Sequence, residues 1–143
     1  MRPETLARLE EEFRSFPVMS SGPPAESEWK TELARLDFPP PQDYVEFIRR
    51  FGGSIVGSYS IVGVGASSAM GSEEESVAEF TAMYRADGWP GSDDWIVFSK
   101  DLAGNPIGLD KNGAVWTWDH DSRETVQLAD SFELFLVEHC LKG

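Results

Sequence analysis

The stretch from Trp95 to Asp121, WIVFSKDLAGNPIGLDKNGAVWTWDHD, decides the fold, because it reads as three short strands joined by Gly-bearing turns. Trp95 to Phe98 is apolar enough for a buried strand, Asn105 to Asp110 is a second extended run, and Ala114 to Trp118 alternates. Asp110-Lys111-Asn112-Gly113 is typical of a turn. The stretch therefore predicts two tight strand connections in under thirty residues.

The segments on either side of this stretch extend the pattern. Glu124 to Leu128 predicts a fourth short strand, after which Asp130 or Ser131 begins a final helix. The apolar residues of that helix are Phe132, Phe135, Leu136 and Cys140. On the N-terminal side, Ser72 to Glu75 resembles a capping box that opens a helix ending near Ala86. Its predicted inner face consists of Val77, Phe80, Met83 and Tyr84.

The first half of the chain predicts three helices followed by a short β segment. The three apolar stripes are Leu6, Leu9, Phe13 and Phe16; then Trp29, Leu33 and Leu36 within 26–36; then Tyr44, Phe47, Ile48 and Phe51. Pro39-Pro40-Pro41 precedes the third helix, and Gly52-Gly53 ends it. Residues 54–65 are β-branched and glycine-rich, which fits one strand or a small bent hairpin.

This order of elements predicts an α+β fold in a single domain over residues 1–143, with a mostly antiparallel sheet flanked by helices. Its core spans about 25–140, and residues 1–24 form an N-terminal helix and a Pro/Gly/Ser loop. No run of about 18 apolar residues occurs, and the N-terminus lacks the apolar stretch of a signal peptide. We expect a cytoplasmic protein that does not enter the membrane. The single cysteine, Cys140, is expected to be a small core residue.

Charge narrows the class of partner. Twenty-five acidic residues against twelve basic ones give a formal net charge of −13. Such a chain is repelled by the phosphate backbone, so direct binding to nucleic acid is not expected. The same charge attracts a basic protein and accelerates encounter with it, although acidic surfaces also serve solubility alone.

Several short motifs in a fixed order resemble the SUKH superfamily. They begin with Phe38-Pro39, then Asp43 to Ile48 (DYVEFI) and Phe51-Gly52-Gly53. The later motifs are Trp95 to Phe98, Asp101, Gly104-Asn105, Leu109-Asp110, Gly113 to Trp116, and Trp118-Asp119-His120. Together they span about residues 25–140.

The resemblance implies an α+β fold with a central, mostly antiparallel sheet, and no catalytic residues. That superfamily includes fungal cell-wall synthesis regulators and bacterial immunity proteins. Many of the bacterial members bind and neutralise a toxin encoded beside them, often a nuclease. The resemblance therefore implies either an immunity protein with a cognate, basic toxin as its partner, or an intracellular scaffold of the cell-wall regulator type.

Motifs for metal binding, nucleotide binding or catalysis are weaker than the motifs of the family resemblance. Trp118-Asp119-His120-Asp121 offers two carboxylates and an imidazole, yet alternate strand positions put His120 on the face opposite both aspartates. A polar turn accounts for these residues without a metal. Asp101, Asn105, Asp110 and Asn112 lack the spacing of a calcium loop, and Gly63-x-Gly65 lacks a third glycine in register. We expect no cofactor, no metal site and no enzyme.

Five tryptophans are a high number for this length, and most of them are expected in the core. Trp116 and Trp118 share one face of their strand, with Val115 and Thr117 on the other, and either face can be the covered one. Acidic residues in predicted loops and helix starts are the candidate contacts with a partner. They are Glu73, Glu74, Glu75, Asp93, Asp94, Asp119 and Asp121.

Overall fold

A computed structural model describes residues 1–65 and 76–141. The helices are α1 (Pro3–Ser15), α2 (Glu26–Ala34), α3 (Gln42–Phe51), α4 (Val77–Ala86) and α5 (Phe132–Phe135), which continues as a π-helical turn over Leu136–Cys140. The strands are β1 (Ser54–Val56), β2 (Tyr59–Ile61), β3 (Ile96–Lys100), β4 (Pro106–Leu109), β5 (Val115–Asp119) and β6 (Glu124–Ala129). Both sheets are antiparallel, which confirms the predicted α+β class.

The main sheet is the meander that the 95–121 stretch predicts. Its strand order is β3-β4-β5-β6, and Ile107 pairs with Thr117 across the central two strands. In the β4–β5 turn, the Asp110 carboxylate accepts hydrogen bonds from the backbone N–H groups of Asn112 and Ala114, at 2.8 and 3.0 Å. Gly113 closes this turn at φ 87°, a conformation that a side chain disfavours. Turn chemistry therefore accounts for the register between β4 and β5.

The core lies between one face of this sheet and the helices α3 and α5. Tyr44, Phe98, Phe132 and Phe135 form a connected set of aromatic rings, with neighbouring centroids 5.3–6.0 Å apart. All four side chains are buried, and the Tyr44 hydroxyl donates to the Val62 carbonyl at 2.6 Å. Burial raises the pKa of Tyr44 well above its usual range, so this phenol remains a donor. The predicted inner faces of α3 and α5 are confirmed.

Two predicted apolar stripes in the N-terminal half are wrong in part. Phe16 lies just past the end of α1 and is 54% exposed, because α1 stops at Ser15. In α2 the buried residue is Glu32, at 6% exposure, whereas Trp29 is only partly buried and carries Arg49 over its ring. The Glu32 carboxylate accepts from the N–H of Ala78 at 2.7 Å, so it serves the start of α4 rather than solvent.

The helix α4 also departs from its prediction. Its N-cap is Ser76, whose hydroxyl accepts from the N–H of Glu79, while Glu79 accepts from the N–H of Ser76. The predicted box of Ser72 and Glu75 lies outside the described residues. Met83, predicted on the inner face, is exposed, and Thr81 is buried against β3 in its place.

The two edges of the main sheet are treated differently. Along β3, the Thr81 hydroxyl accepts from the N–H of Val97 at 3.0 Å, and the Phe98 carbonyl accepts from the N–H of Val62 at 2.8 Å. The α4 helix and the β1–β2 hairpin thus cover that edge. On the other side, β6 is the last strand that the described residues contribute. None of the described helices is long and apolar enough to cross a membrane.

Candidate partner-binding surface

Two tryptophans, Trp116 and Trp118, lie on the sheet face opposite α3 and α5. Val115 and Thr117 are buried, so the intervening Trp116 and Trp118 point to the outer face, where both are partly buried. This resolves the alternative that alternation alone left open. Of the five tryptophans, Trp95 is buried at 5% exposure, and Trp89, Trp116 and Trp118 are partly buried and pack against the core.

Two glycines make room for Trp95. A Cβ placed on Gly108 would lie 2.6 Å from the Trp95 Cβ, and one on Gly91 would lie 2.6 Å from its ring. Gly108 pairs with Trp116 across the β4–β5 ladder, so it belongs to the same outer face. The absence of a side chain at Gly108 therefore lets the Trp95 indole lie flat against β4.

A run of edge-to-face aromatic contacts leads from α4 to β5. The ring centroids of Phe80 and Tyr84 are 5.1 Å apart, those of Tyr84 and Trp89 are 5.6 Å apart, and those of Trp89 and Trp118 are 5.7 Å apart. The Tyr84 hydroxyl donates to the Gly104 carbonyl at 2.9 Å, and burial raises the pKa of Tyr84 to about 12. Each such pair contributes about 0.5–1.5 kcal/mol beyond its buried area. Trp89 and Trp118 are consequently fixed in place before any partner arrives.

Hydrogen bonds fix the polar ends of this surface. The Trp116 Nε1 donates to the Asp110 carboxylate at 2.8 Å, at the end of the sheet formed by the β4–β5 turn. At the opposite end, Asn105 is buried and donates through Nδ2 to Asp101 at 2.9 Å. Because a carboxylate only accepts, this bond sets the orientation of the Asn105 amide, and its Oδ1 faces His120.

His120 joins two turns of the sheet. Its backbone N–H donates to Asn105 Oδ1 at 3.1 Å, and its ring Nδ1 lies 2.5 Å from the same oxygen. The other ring nitrogen lies 3.4 Å from the Asp121 carboxylate, and the ring packs edge-on against Trp89. His120 is therefore not simply turned away from both aspartates, as strand alternation predicts, because the strand has already bent into a turn. Its contacts tie the β5–β6 turn to the β3–β4 turn.

The predicted acidic contacts are brought together only in part. Asp119 and Asp121 share the β5–β6 turn, where the Asp119 carboxylate accepts from the N–H of Asp121 at 3.0 Å. Asp93 and Asp94 are exposed in a 3-10 turn, Ser92–Asp94, that follows Trp89. Among the described residues, no lysine or arginine lies within 4.0 Å of these four carboxylates. Glu73, Glu74 and Glu75 lie outside the described residues.

One exposed apolar residue completes the site. Leu102, at the tip of the β3–β4 turn, is 93% exposed, and the Asp101–Asn105–His120 network holds that turn beside the β5–β6 turn. We use the name acidic–aromatic surface for the area formed by Trp89, Trp118, Leu102, Asp119 and Asp121, together with the turn of Asp93 and Asp94, in which the Ser92 hydroxyl donates to the Trp89 carbonyl. The sequence offered the acids and the tryptophans separately, but not the link between the two turns that joins them.

Other reactive groups are engaged within the fold. Cys140 is buried, and burial raises the pKa of its thiol to about 12. His139 stacks on Phe135 with centroids 5.4 Å apart, and its Nε2 lies 3.0 Å from the Leu128 carbonyl, as befits a boundary residue. Within residues 1–65 and 76–141, no three His, Cys, Asp or Glu side chains are placed to share a metal ion.

Comparison with known proteins gives one family. Residues 23–138 match the model of the SMI1 / KNR4 family (SUKH-1). The match includes α2 through β6 and most of the C-terminal helix, and it leaves α1 outside. No curated protein sequence matches the chain. The family match confirms the resemblance predicted from the ordered motifs.

Proposed function

The chain belongs to the SMI1 / KNR4 family (SUKH-1), and from this membership we propose that it is an immunity protein that binds a cognate toxin and blocks it by occlusion. The toxin is a basic protein, such as a nuclease, and the complex forms in the cytoplasm. The immunity protein supplies a binding surface and no chemistry of its own.

The acidic–aromatic surface is the observation that carries this proposal. Interface hot spots are enriched in tryptophan, and they are effective where the ring is held rigid before binding. Trp89 and Trp118 meet this condition, since each packs edge-on against a neighbouring ring. Leu102 adds an apolar side chain that is 93% exposed.

Charge supports a basic partner. The net charge of −13 steers a cationic protein towards the chain, and steering raises association rates by roughly 10- to 1000-fold at low salt. The carboxylates of Asp119 and Asp121 are free of lysine and arginine partners among the described residues, so they remain available to pair with cations of a toxin. A nuclease needs cationic groups to hold nucleic acid, and an acidic surface competes for those groups.

Occlusion fits the chemistry of the residues better than catalysis. The imidazole Nδ1 of His120 is in contact with Asn105 Oδ1, and the carboxylates of Asp101 and Asp110 accept hydrogen bonds from backbone N–H groups in their turns. The thiol of Cys140 is buried, so its thiolate is not available as a nucleophile. The side chains of Asp101, Asp110 and His120 hold the turns around the binding surface in shape.

Growth rescue tests the proposed function. A polymorphic toxin encoded immediately beside this chain is expressed in a susceptible host, with and without the immunity protein. Rescue from that toxin and not from an unrelated nuclease is the expected result. Failure to rescue, together with no binding to the purified toxin domain, contradicts the proposal.

Association kinetics test the surface. Three lysine substitutions at Asp93, Asp94 and Asp121 are expected to lower the association rate constant about tenfold or more at low salt, and to weaken its dependence on salt. A matched control changes the net charge equally on α1, through lysine at Glu4, Glu10 and Glu11, which are exposed. Equal rates for the two triple variants would reject the acidic–aromatic surface as the contact.

Membership of the family is also consistent with a second candidate role, that of an intracellular scaffold or regulator of the cell-wall synthesis type. The two roles differ in the number of partners. Affinity capture with the full chain is expected to recover one toxin domain for an immunity protein. Recovery of several unrelated proteins, each lost when the Trp118 ring is removed, would favour the scaffold.

A further inference from the structure

The open edge of the main sheet is the feature that the proposed function does not use. An edge strand presents unpaired backbone N–H and C=O groups, and proteins normally cover or charge such edges. The β3 edge is covered, because the Thr81 hydroxyl and the N–H of Val62 occupy the backbone groups of Val97 and Phe98. Within the described residues no element pairs with the outer side of β6.

The cover on β6 is confined to its C-terminal half. His139 Nε2 lies 3.0 Å from the Leu128 carbonyl, and the Gln127 side chain donates to the Ala129 carbonyl at 3.3 Å. Residues 124–127 are all exposed, and Val126 is 40% exposed. This half contains no proline and no lysine, the residues that usually prevent pairing at an edge. A four-residue edge therefore remains able to pair with another strand.

The acidic residues around this edge favour a basic strand as the one that pairs with β6. Asp121 and Glu124 lie at its start, and Asp130 and Glu138 line a shallow depression at its end. Arg123 is the one lysine or arginine in the sequence between Ala114 and Leu141. Two copies of the chain would bring together two net charges of −13, whereas a basic strand would meet carboxylates at both ends.

We propose that β6 binds an extended, basic segment of the partner protein by strand addition, with Glu124–Gln127 as the pairing residues. Main-chain hydrogen bonds give the affinity in such complexes, and alternate side chains give the specificity. Here the lysine or arginine side chains of the added strand reach Asp121, Glu124 and Asp130. This inference rests on the proposed function, in that the partner is the basic toxin.

A peptide pair tests strand addition without the toxin. The probe is an eight-residue peptide of alternating lysine and valine with blocked ends, and its twin carries N-methyl groups on the four central residues, which removes N–H donors from both edges of the strand. Both peptides have the same charge, but only the unmodified one keeps an uninterrupted edge with which to pair along β6. We expect at least tenfold weaker binding of the methylated peptide to the full chain, and slower amide exchange at 124–127 with the unmodified one. Equal binding of the two peptides overturns the proposal.

Two variants separate the edge from plain charge. Val126→Lys places a lysine on the edge, and Ser122→Lys places the same charge on the adjoining exposed turn. Val126→Lys is expected to reduce binding of the unmodified peptide about tenfold, and Ser122→Lys about twofold. Equal losses of peptide affinity in the two variants overturn the proposal. Dimerisation of the free chain that depends on concentration and is abolished by Val126→Lys also overturns it, because the strand added at β6 is then a second copy.

The toxin assays keep the two proposals apart. The immunity function is refuted, and the strand-addition site is retained, if the chain binds the unmodified peptide selectively but does not rescue growth from any toxin encoded beside it. Strand addition is refuted if Val126→Lys still rescues fully and binds the toxin with unchanged affinity, while the Asp93, Asp94 and Asp121 variant loses both. The immunity function is then retained.

Discussion

Replacing Thr81 by valine tests whether a single hydroxyl closes the β3 edge. Thr81 is buried in α4 at 3% exposure, and its Oγ1 accepts from the N–H of Val97 at 3.0 Å. The same hydroxyl lies 2.8 Å from the Val77 carbonyl and 3.2 Å from the Val97 carbonyl. Valine keeps the shape of the side chain and removes these bonds. The N–H of Val97 then has no acceptor, and water does not reach this part of the core.

The expected loss of stability follows from that one donor. Leaving a buried polar group without a partner costs about 1–3 kcal/mol, and we take about 2 kcal/mol for the N–H of Val97. The Val77 carbonyl contributes little, because it also accepts within α4. Unfolding entropy is about 2.1 cal/mol/K per residue, or about 0.3 kcal/mol/K for 143 residues. Thr81→Val is therefore expected to lower Tm by about 7 °C.

Calorimetry and urea unfolding measure this effect against two controls. Thr125→Val makes the same change at an exposed position and is expected to shift Tm by less than about 2 °C. Thr81→Ser keeps the hydroxyl and loses only a methyl group, which costs about 1 kcal/mol. If Thr81→Val is as stable as Thr125→Val, or if Thr81→Ser loses more than Thr81→Val, the hydroxyl does not hold the β3 edge.

Three further outcomes are expected. Gly108→Ala should lower the free energy of unfolding by about 1–3 kcal/mol and change the tryptophan fluorescence, because the new Cβ would overlap Trp95; an unchanged melting curve would refute this close contact. Cys140 should resist a thiol reagent at pH 8 in the native state and react with one equivalent in denaturant, because burial raises its pKa to about 12; rapid native labelling would show an open thiol. Partial burial acts to raise the pKa of Glu133, yet hydrogen bonds, including one from Thr5, hold it below 4.5. The ionised carboxylate of Glu133 therefore stabilises the fold above pH 4.5, and this stabilisation is lost as pH falls through the folded pKa. Urea unfolding should show that Glu133→Gln has a lower free energy of unfolding than the wild type, and that this difference shrinks on acidification. A difference independent of pH would contradict the prediction.

The meander could be predicted from sequence because its determinants are local. The Asp110–Gly113 turn sets the register between β4 and β5 through bonds made inside the turn itself. Alternation along β5 then assigns each side chain to a face. The helix-ending glycine after α3 is local in the same sense, since Gly52 takes a positive φ of 67° at that point. Such features need no knowledge of distant residues.

The errors fall where a distant residue decides the outcome. Glu32 is buried because the start of α4, forty-six positions away, offers it the N–H of Ala78. No helical pattern identifies such a partner, and an apolar stripe through Trp29 was the simpler expectation. Similarly, Thr81 replaces Met83 on the inner face because the β3 edge requires a hydrogen-bonding group there. Polar residues that complete another element's hydrogen bonds are not visible to a hydrophobic period.

The candidate contacts show the same division. The sequence predicts Asp93, Asp94, Asp119 and Asp121 as contacts from their positions in turns, and the structure places no lysine or arginine of the described residues within 4.0 Å of them. The sequence does not show that the turn of Leu102 lies beside the turn of Asp119 and Asp121. That arrangement depends on Asn105, a buried amide that contacts both Asp101 and His120.

The two proposed binding features share one continuous face of the sheet. Thr125 pairs with Trp118 and Gln127 pairs with Trp116, so these residues of β6 project on the tryptophan side. A strand added beyond β6 would continue the same pleat, and every second side chain of that strand would lie on this face. The added strand would thus extend the acidic–aromatic surface rather than compete with it. A partner that inserts a basic strand at β6 can place its adjoining domain over Trp118 and Leu102, which brings edge pairing and occlusion into a single binding event.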